Sequence, residues 1–196
     1  LHVKQATLSY EALDEPILEQ FNHSFSHGKV HALVGPSGSG KSTLISALLG
    51  LHKPKQGAIE VHLNGQETIT LSDDVDLHEW ILHVGYLSQQ PFLFQGTVRD
   101  NLTLRVPGAG MNEELANSLI QKLKLDDCLG TQPLEFELQE GGSNLSGGQQ
   151  QRIALMRALQ VQRPVLILDE ATSALDSELR DVVFDLLKER AAAGCN

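Results

Sequence analysis

At 196 residues, 41% of them hydrophobic and 20% charged, the chain has enough material for one domain with its own core and too little for two ordinary ones. That composition is globular and excludes a disordered segment. The formal charge of −10 argues against sequence-independent nucleic-acid binding, which needs a basic surface to displace counterions, but leaves room for a nucleotide held by a few local donors.

In chain order, the alternating stretches "LHVKQATLSY" and "ILEQFNHSF" predict β-strands, and "KVHALVG" (29–35) predicts a buried strand running into a glycine-rich turn. Residues 41–50 have helical apolar spacing and end at Gly50, a C-cap candidate. "GAIEVHLNGQ" reads as a strand and turn, and "ILHVGYLSQ" (81–89) as a second buried strand. Amphipathic helices are predicted over 111–125 and over 147–160, the latter with Ile153, Met156 and Leu159 among its apolar positions. "PVLIL" (164–168) predicts a short buried strand, and 177–193 a final helix carrying Val182, Val183, Leu186 and Leu187. Strands alternating with helices predict an α/β layered fold, and the mostly helical stretch between Gln89 and Val165 predicts a helical subdomain inserted into that core.

Cys128 and Cys195 lack metal-type spacing, which fits free thiols in a reducing, cytosolic compartment. His23 and His27 stand four apart, but an extended "FNHSFSH" would hold them more than ~10 Å apart, too far to share a metal. No signal peptide is visible and no apolar run approaches the ~20 residues of a membrane span. Work at a membrane would therefore pass through a partner or through chain outside this sequence.

The strongest local signal is "GPSGSGKS", residues 35–42, which matches the G-x-x-x-x-G-K-[ST] pattern between a predicted strand and a helix start. Gly35, Gly38 and Gly40, with Pro36, Ser37 and Ser39 between them, permit a backbone curl whose N–H groups surround phosphate oxygens. The following helix start, from Lys41 through Thr43, adds positive potential. Lys41 would neutralise the β- and γ-phosphates, and the Ser42 hydroxyl would ligate Mg²⁺. In "VLILDEATSALD" (165–176), four apolar residues deliver Asp169 and Glu170 to the carboxyl end of a strand, where open α/β sheets bind ligands. Asp169 fits an acidic partner of Mg²⁺, and Glu170 fits either a general base or an acidic cap of the next helix. In "SNLSGGQQQR" (143–152), Leu145 buries, Ser146 caps a helix or donates to phosphate, and Gly147–Gly148 allow close backbone approach. Alone, that stretch also fits an ordinary capped helix start.

"GPSGSGKS", "LSGGQ", "LILDE" and "SALD" together resemble the nucleotide-binding domain of an ATP-binding cassette (ABC) transporter, over residues 1–196. The resemblance implies a P-loop NTPase fold: a mixed sheet flanked by helices, an antiparallel β portion, and a helical subdomain at about 91–160. ATP and Mg²⁺ would be bound. Tyr10 matches the aromatic residue that stacks on adenine. Gln89 matches the glutamine that touches Mg²⁺ and the attacking water, with Gln90 the poorer fit. Leu145, Ser146, Gly147, Gly148 and Gln149 match the signature, which serves the nucleotide of a neighbouring domain. Asp176 closes a loop used across that interface, and Glu140 lies where exporters meet their membrane domains. "PFLFQGTVRDNL" (91–102) has an exporter character.

The resemblance thus implies an ATPase that couples head-to-tail dimerisation to transport, at the cytoplasmic face of a membrane. Its partners would be a second such domain and transmembrane domains, not nucleic acid. The family's switch histidine has no counterpart, because no histidine follows His83. The expectation is a C-terminally truncated domain whose hydrolysis is weak in isolation. Two alternatives remain. One is a non-catalytic regulatory cassette. The other is a soluble ATPase of DNA maintenance, disfavoured because only 55 residues separate Gln89 from Leu145 and they show no coiled-coil heptads.

Overall fold

The computed structural model describes residues 1–10, 15–62, 68–71, 77–106, 110–161, 163–173 and 175–193. Two compact units are present: Leu1–Val84 with Arg190 and the residues beside it, and Gly85–Glu189.

The first unit holds β1 (His2–Leu8), β2 (Leu18–Ser24), α1 (Lys41–Leu48), β3 (Gln56–Val61), β4 (Ile69–Thr70) and α2 (Leu77–Leu82). The strands form an antiparallel sheet in the order β2-β1-β3-β4. β1 buries Val3, Ala6 and Leu8, with a register shift between Val3 and Ala6 that brings residues three apart to the buried side, and β3 adds Ile59 and Val61, spaced by the strand period of two. From α1, Leu44, Ile45, Ala47 and Leu48 are buried.

The end of α1 is set by Gly50, whose φ of 77° is reached without the Cβ penalty of other residues. Leu49 is the cap itself and Gly50 follows it, one position beyond the predicted C-cap role. Leu51 N–H donates to Ser46 O at 2.9 Å and Gly50 N–H to Ala47 O at 3.0 Å, the paired bonds of a Schellman motif. Trp80, 1% exposed, donates its indole N–H to Leu48 O at 3.0 Å and satisfies another last-turn carbonyl.

The predicted buried strand at 29–34 is absent: those residues lie outside any strand, and Val34 is 91% exposed. The His31 ring explains the local course. Its Nε2 accepts the Ser26 N–H at 3.1 Å and its Nδ1 meets His23 Nε2 at 3.1 Å, so side-chain bonds tie His31 back to the end of β2 and the residues just after it. The strand predicted over 81–89 is likewise shorter. Ile81 and Leu82 close α2, and only Val84–Leu87 is extended.

The second unit holds β5 (Val84–Leu87, opening at the boundary), β6 (Gly96–Thr97), α3 (Val98–Thr103), α4 (Glu113–Lys122), α5 (Asp126–Leu129), β7 (Glu137–Leu138), α6 (Gly147–Gln160), β8 (Val165–Leu168) and α7 (Ser177–Ala192). β5 pairs with β8, and β6 with β7 in antiparallel register. The core gathers Leu102 of α3, Leu119 and Ile120 of α4, Ile153, Leu155 and Met156 of α6, and Val183 of α7. β8 is half-buried along its length, less enclosed than its unbroken apolar sequence predicts. The helix predicted over 111–125 is two helices. Lys124, at φ 51°, ends the first before α5 begins.

Entry to α3 is a capping box. Thr97 Oγ1 accepts the Asp100 N–H at 3.0 Å while Asp100 Oδ2 accepts the Thr97 N–H at 3.1 Å. Arg105 donates to the same Oδ2 at 3.0 Å and, with the Thr97 N–H, holds the Asp100 carboxyl below the usual carboxylate range. Beside the box, Asn101 is fully buried. Its Oδ1 accepts Phe94 N–H at 3.0 Å, and its Nδ2 donates to Phe94 O at 2.9 Å and Thr97 O at 3.0 Å. Asn101→Ala strands all three backbone groups, and the expected cost is about 2–4 kcal/mol. Urea unfolding of the variant checks this, and a midpoint equal to the parent's would remove Asn101 from that role.

Candidate functional site

The glycine-rich loop at 35–40 lies in the first unit and enters α1 through Gly40, at φ 87°. A Cβ at Gly40 would sit 2.9 Å from Leu18 Cγ, so both conformation and space require glycine there. α1 has no side-chain N-cap. The N–H groups of its first turn therefore lack intrahelical acceptors and present the positive end of the helix dipole. Lys41 Nζ bridges Gly35 O and Pro36 O, each at 2.8 Å, and ties the loop's entrance to its exit. Ser42 is exposed at the rim, whereas Thr43 is buried at 6% exposure. Gly35, Pro36, Ser37 and Gly38 are exposed, and Ser39 is half-buried. The loop is thus open to solvent from Gly35 to Gly38, with the Lys41 ammonium folded back onto its carbonyls. Tyr10, also in this unit, is 44% exposed and tilts against the His52 ring at 4.7 Å between centroids.

The remaining predicted residues lie in the second unit. Asp169 directly follows β8, and its N–H donates to Leu87 O at 2.9 Å, extending the β5–β8 pairing by one residue. Burial pushes the Tyr86 phenol above its ordinary range, and the nearby Asp169 carboxylate adds to the shift. Glu170 breaks the extended course: its φ is 51°, left-handed, unusual for a residue with a side chain. Its Oε2 accepts the Gln89 side-chain N–H at 2.7 Å, across 81 residues of sequence. Gln89 and Glu170 are both exposed. The structure therefore joins Gln89 to Glu170. Gln90 instead offers its carbonyl to the Ser88 hydroxyl at 2.9 Å. The acidic-cap alternative for Glu170 is overturned, because α7 begins only at Ser177 and Asp176 caps it: Asp176 Oδ1 accepts Leu179 N–H at 2.8 Å.

The stretch at 143–152 forms a fixed helix entry. Asn144 accepts the Gln139 N–H and donates to Glu137 O, each at 2.9 Å, which holds the loop before α6. Leu145 is buried at 8% exposure. Ser146 and Gln149 make a capping box: Ser146 Oγ accepts Gln149 N–H at 3.3 Å, and Gln149 Oε1 accepts Ser146 N–H at 2.8 Å. Because its oxygen is the acceptor, the Ser146 hydroxyl keeps its proton for an outside partner. A Cβ at Gly147 would meet nothing within 4 Å, so the helix start is open above it. Arg152 braces the far side, donating to Gly148 O at 3.1 Å, Leu123 O at 2.8 Å and Lys124 O at 3.0 Å. Glu140 is exposed.

One polar side chain escaped the sequence reading. Gln151 is only 5% exposed, and its amide donates to the Glu170 main-chain carbonyl at 3.0 Å. Its signal was available, since helical spacing puts it in register with the buried Ala154, Leu155 and Ala158.

A family model described as "ABC transporter" matches residues 18–173, most of the chain. The chain belongs to the ABC transporter family. This cassette is 38% identical over 176 residues to the mycobactin import ATP-binding/permease protein IrtB of Mycolicibacterium smegmatis, an alignment covering 89% of this chain and 29% of that protein. It is 39% identical over 173 residues to the mesentericin-Y105 transport/processing ATP-binding protein MesD of Leuconostoc mesenteroides, covering 88% of the cassette and 23% of the relative. In three dimensions it matches a bacterial Atm1-family ABC exporter with ATP bound, at a TM-score of 0.79 and 26% identity, over 98% of this chain and 33% of the other. The cassette thus spans about a third or less of these relatives' length. It is an ATP-binding domain of exporter-like type with the mixed α/β fold of that family. Among the described residues, no helix is long and apolar enough to cross a membrane.

Proposed function

We propose that the cassette hydrolyses ATP to drive a membrane transporter, with Glu170 as general base. The supporting observation is the Glu170 carboxylate, exposed at the end of β8, turned out of the strand by a left-handed backbone and hydrogen-bonded to Gln89. In this reading ATP is the substrate. Backbone N–H groups of residues 35–43 and the Lys41 ammonium bind its β- and γ-phosphates, and Tyr10 stacks on its adenine. Glu170 takes a proton from the water that attacks the γ-phosphorus, the bond from that phosphorus to the bridging oxygen breaks, and ADP and phosphate leave.

The donor set suits Mg²⁺, which prefers oxygen ligands. In the first unit the Ser42 hydroxyl is exposed. In the second, Asp169 offers a carboxylate and Gln89 an amide oxygen left over from its donation to Glu170. Such an ion would neutralise phosphate charge.

Residues 145–149 complete the site of a second nucleotide-binding domain, which we place head to tail with this one, as a copy or a related cassette. The free proton of Ser146 and the open first turn at Gly147 support that role. Asp176 lies at the same interface. Residues 91–160 are the helical subdomain that, with Glu140, meets transmembrane domains at the cytoplasmic face. Export is the direction favoured by "PFLFQGTVRDNL" and by the Atm1-family likeness, although the mycobacterial relative is named for import.

Gly147→Asp separates the two nucleotide roles. The position has room for a side chain, and an aspartate in a helix first turn is well placed for folding, so the variant keeps its structure. Its negative charge opposes a phosphate. In the full polypeptide, ATP affinity of the variant's own loop is expected to stay at the parent's value while hydrolysis collapses. Equal weakening of both, read by nucleotide titration beside an ATPase assay, would mean that the signature serves the nucleotide of its own chain.

A further inference from the structure

The left-handed turn at Glu170 needs something to hold it. A residue with a side chain keeps this conformation only where its surroundings over-determine it. Three donors converge on the Glu170 carbonyl: Ser173 N–H at 3.0 Å, Ser173 Oγ at 2.9 Å and Gln151 Nε2 at 3.0 Å. The first two are local contacts of one turn. The third comes from α6, across 19 residues of sequence.

Gln151 is poorly suited to a purely structural role. Its side chain is 5% exposed, and its Oε1 is buried without a hydrogen-bond partner. A half-satisfied amide among apolar neighbours disfavours folding relative to an unbranched apolar side chain of the same length. What the amide does supply is one donor, aimed at the main chain of Glu170. We propose that Gln151 is a positioning residue for hydrolysis, fixing the backbone turn that aims the Glu170 carboxylate. The helix that opens with the signature thereby also sets the base of its own chain. The inference rests on the reading of Glu170 as the base.

The test is Gln151→Met in the full polypeptide, with Glu170→Gln measured beside it. Gln151→Met removes the donor and the orphaned oxygen together. The expected result is a fall in kcat of about tenfold or more, with the KM for ATP unchanged and the melting temperature unchanged or raised. In the Glu170→Gln background the same change adds no further loss, because there is no base left to aim. An unaltered kcat overturns the proposal, and so does a lowered melting temperature with a matching loss of ATP binding, the mark of a structural role. If Glu170→Gln itself hydrolyses at the parent's rate, the base assignment fails first. If it is inactive while Gln151→Met is normal, only the positioning role fails. Should Gln151→Met not fold, Ser173→Ala, at an exposed position, removes a second donor from the same carbonyl. A several-fold fall in its kcat at constant KM supports the proposal, and a kcat equal to the parent's overturns it.

Discussion

Replacing Glu170 with glutamine lowers ATP hydrolysis by about 10²- to 10⁴-fold, the range lost when a positioned general base is removed. ATP binding survives, because the cradle at 35–40 contains no part of Glu170. The substitution is gentle on the structure. Gln89 donates to a Glu170 carboxylate oxygen at 2.7 Å, and the amide oxygen of a glutamine accepts that bond equally well. The left-handed backbone is held by bonds to the main-chain carbonyl, which the substitution does not touch. With chemistry blocked and binding intact, ATP-bound pairs accumulate. Size-exclusion chromatography with ATP and Mg²⁺ therefore shows a larger species that the parent forms only transiently. Normal turnover by this variant would remove Glu170 from its assigned role.

The second large effect is on affinity. Lys41→Ala takes from the cradle its only full positive charge, a group positioned over the loop by bonds of 2.8 Å to Gly35 O and Pro36 O. Hydrogen bonds to charged groups contribute about 1.5–3 kcal/mol each. Losing two on the β- and γ-phosphates weakens ATP binding by roughly 10²- to 10⁴-fold. The fold is spared, since Gly35 and Pro36 are exposed and water replaces the lysine at their carbonyls. A nucleotide titration measures the loss, and unchanged affinity sinks the phosphate-loop assignment. Lys41→Arg is a useful companion, because a planar guanidinium retains charge but not the compact point geometry of an ammonium.

These residues differ in how far the sequence disclosed them. The cradle was legible because its chemistry is local: glycines at fixed offsets, then lysine and serine, then a helix. The cap at Ser146 was legible for the same reason, a hydroxyl residue just ahead of a helical run, whereas its reciprocal bond with Gln149 came from the structure. The stop of α1 near Gly50 was legible too, within one residue. Long-range features were not. The left-handed Glu170 carries no glycine to announce it, and the donor that holds it sits on another helix. Lys124, also left-handed without glycine, divides what periodicity reads as one helix. The apolar run at 29–34 satisfied every local criterion for a buried strand. A strand also needs a neighbour to complete its ladder, and this segment has none among the described residues: His31 is bonded instead to His23 and Ser26.

Trp80 offers a practical return. It is the chain's single tryptophan, and its indole N–H rests on a carbonyl in the last turn of α1, the helix whose opposite end follows the glycine-rich loop. A buried indole emits toward the blue and shifts red when water reaches it. Intrinsic fluorescence from this one residue therefore reads the integrity of α1 directly, without label or added probe.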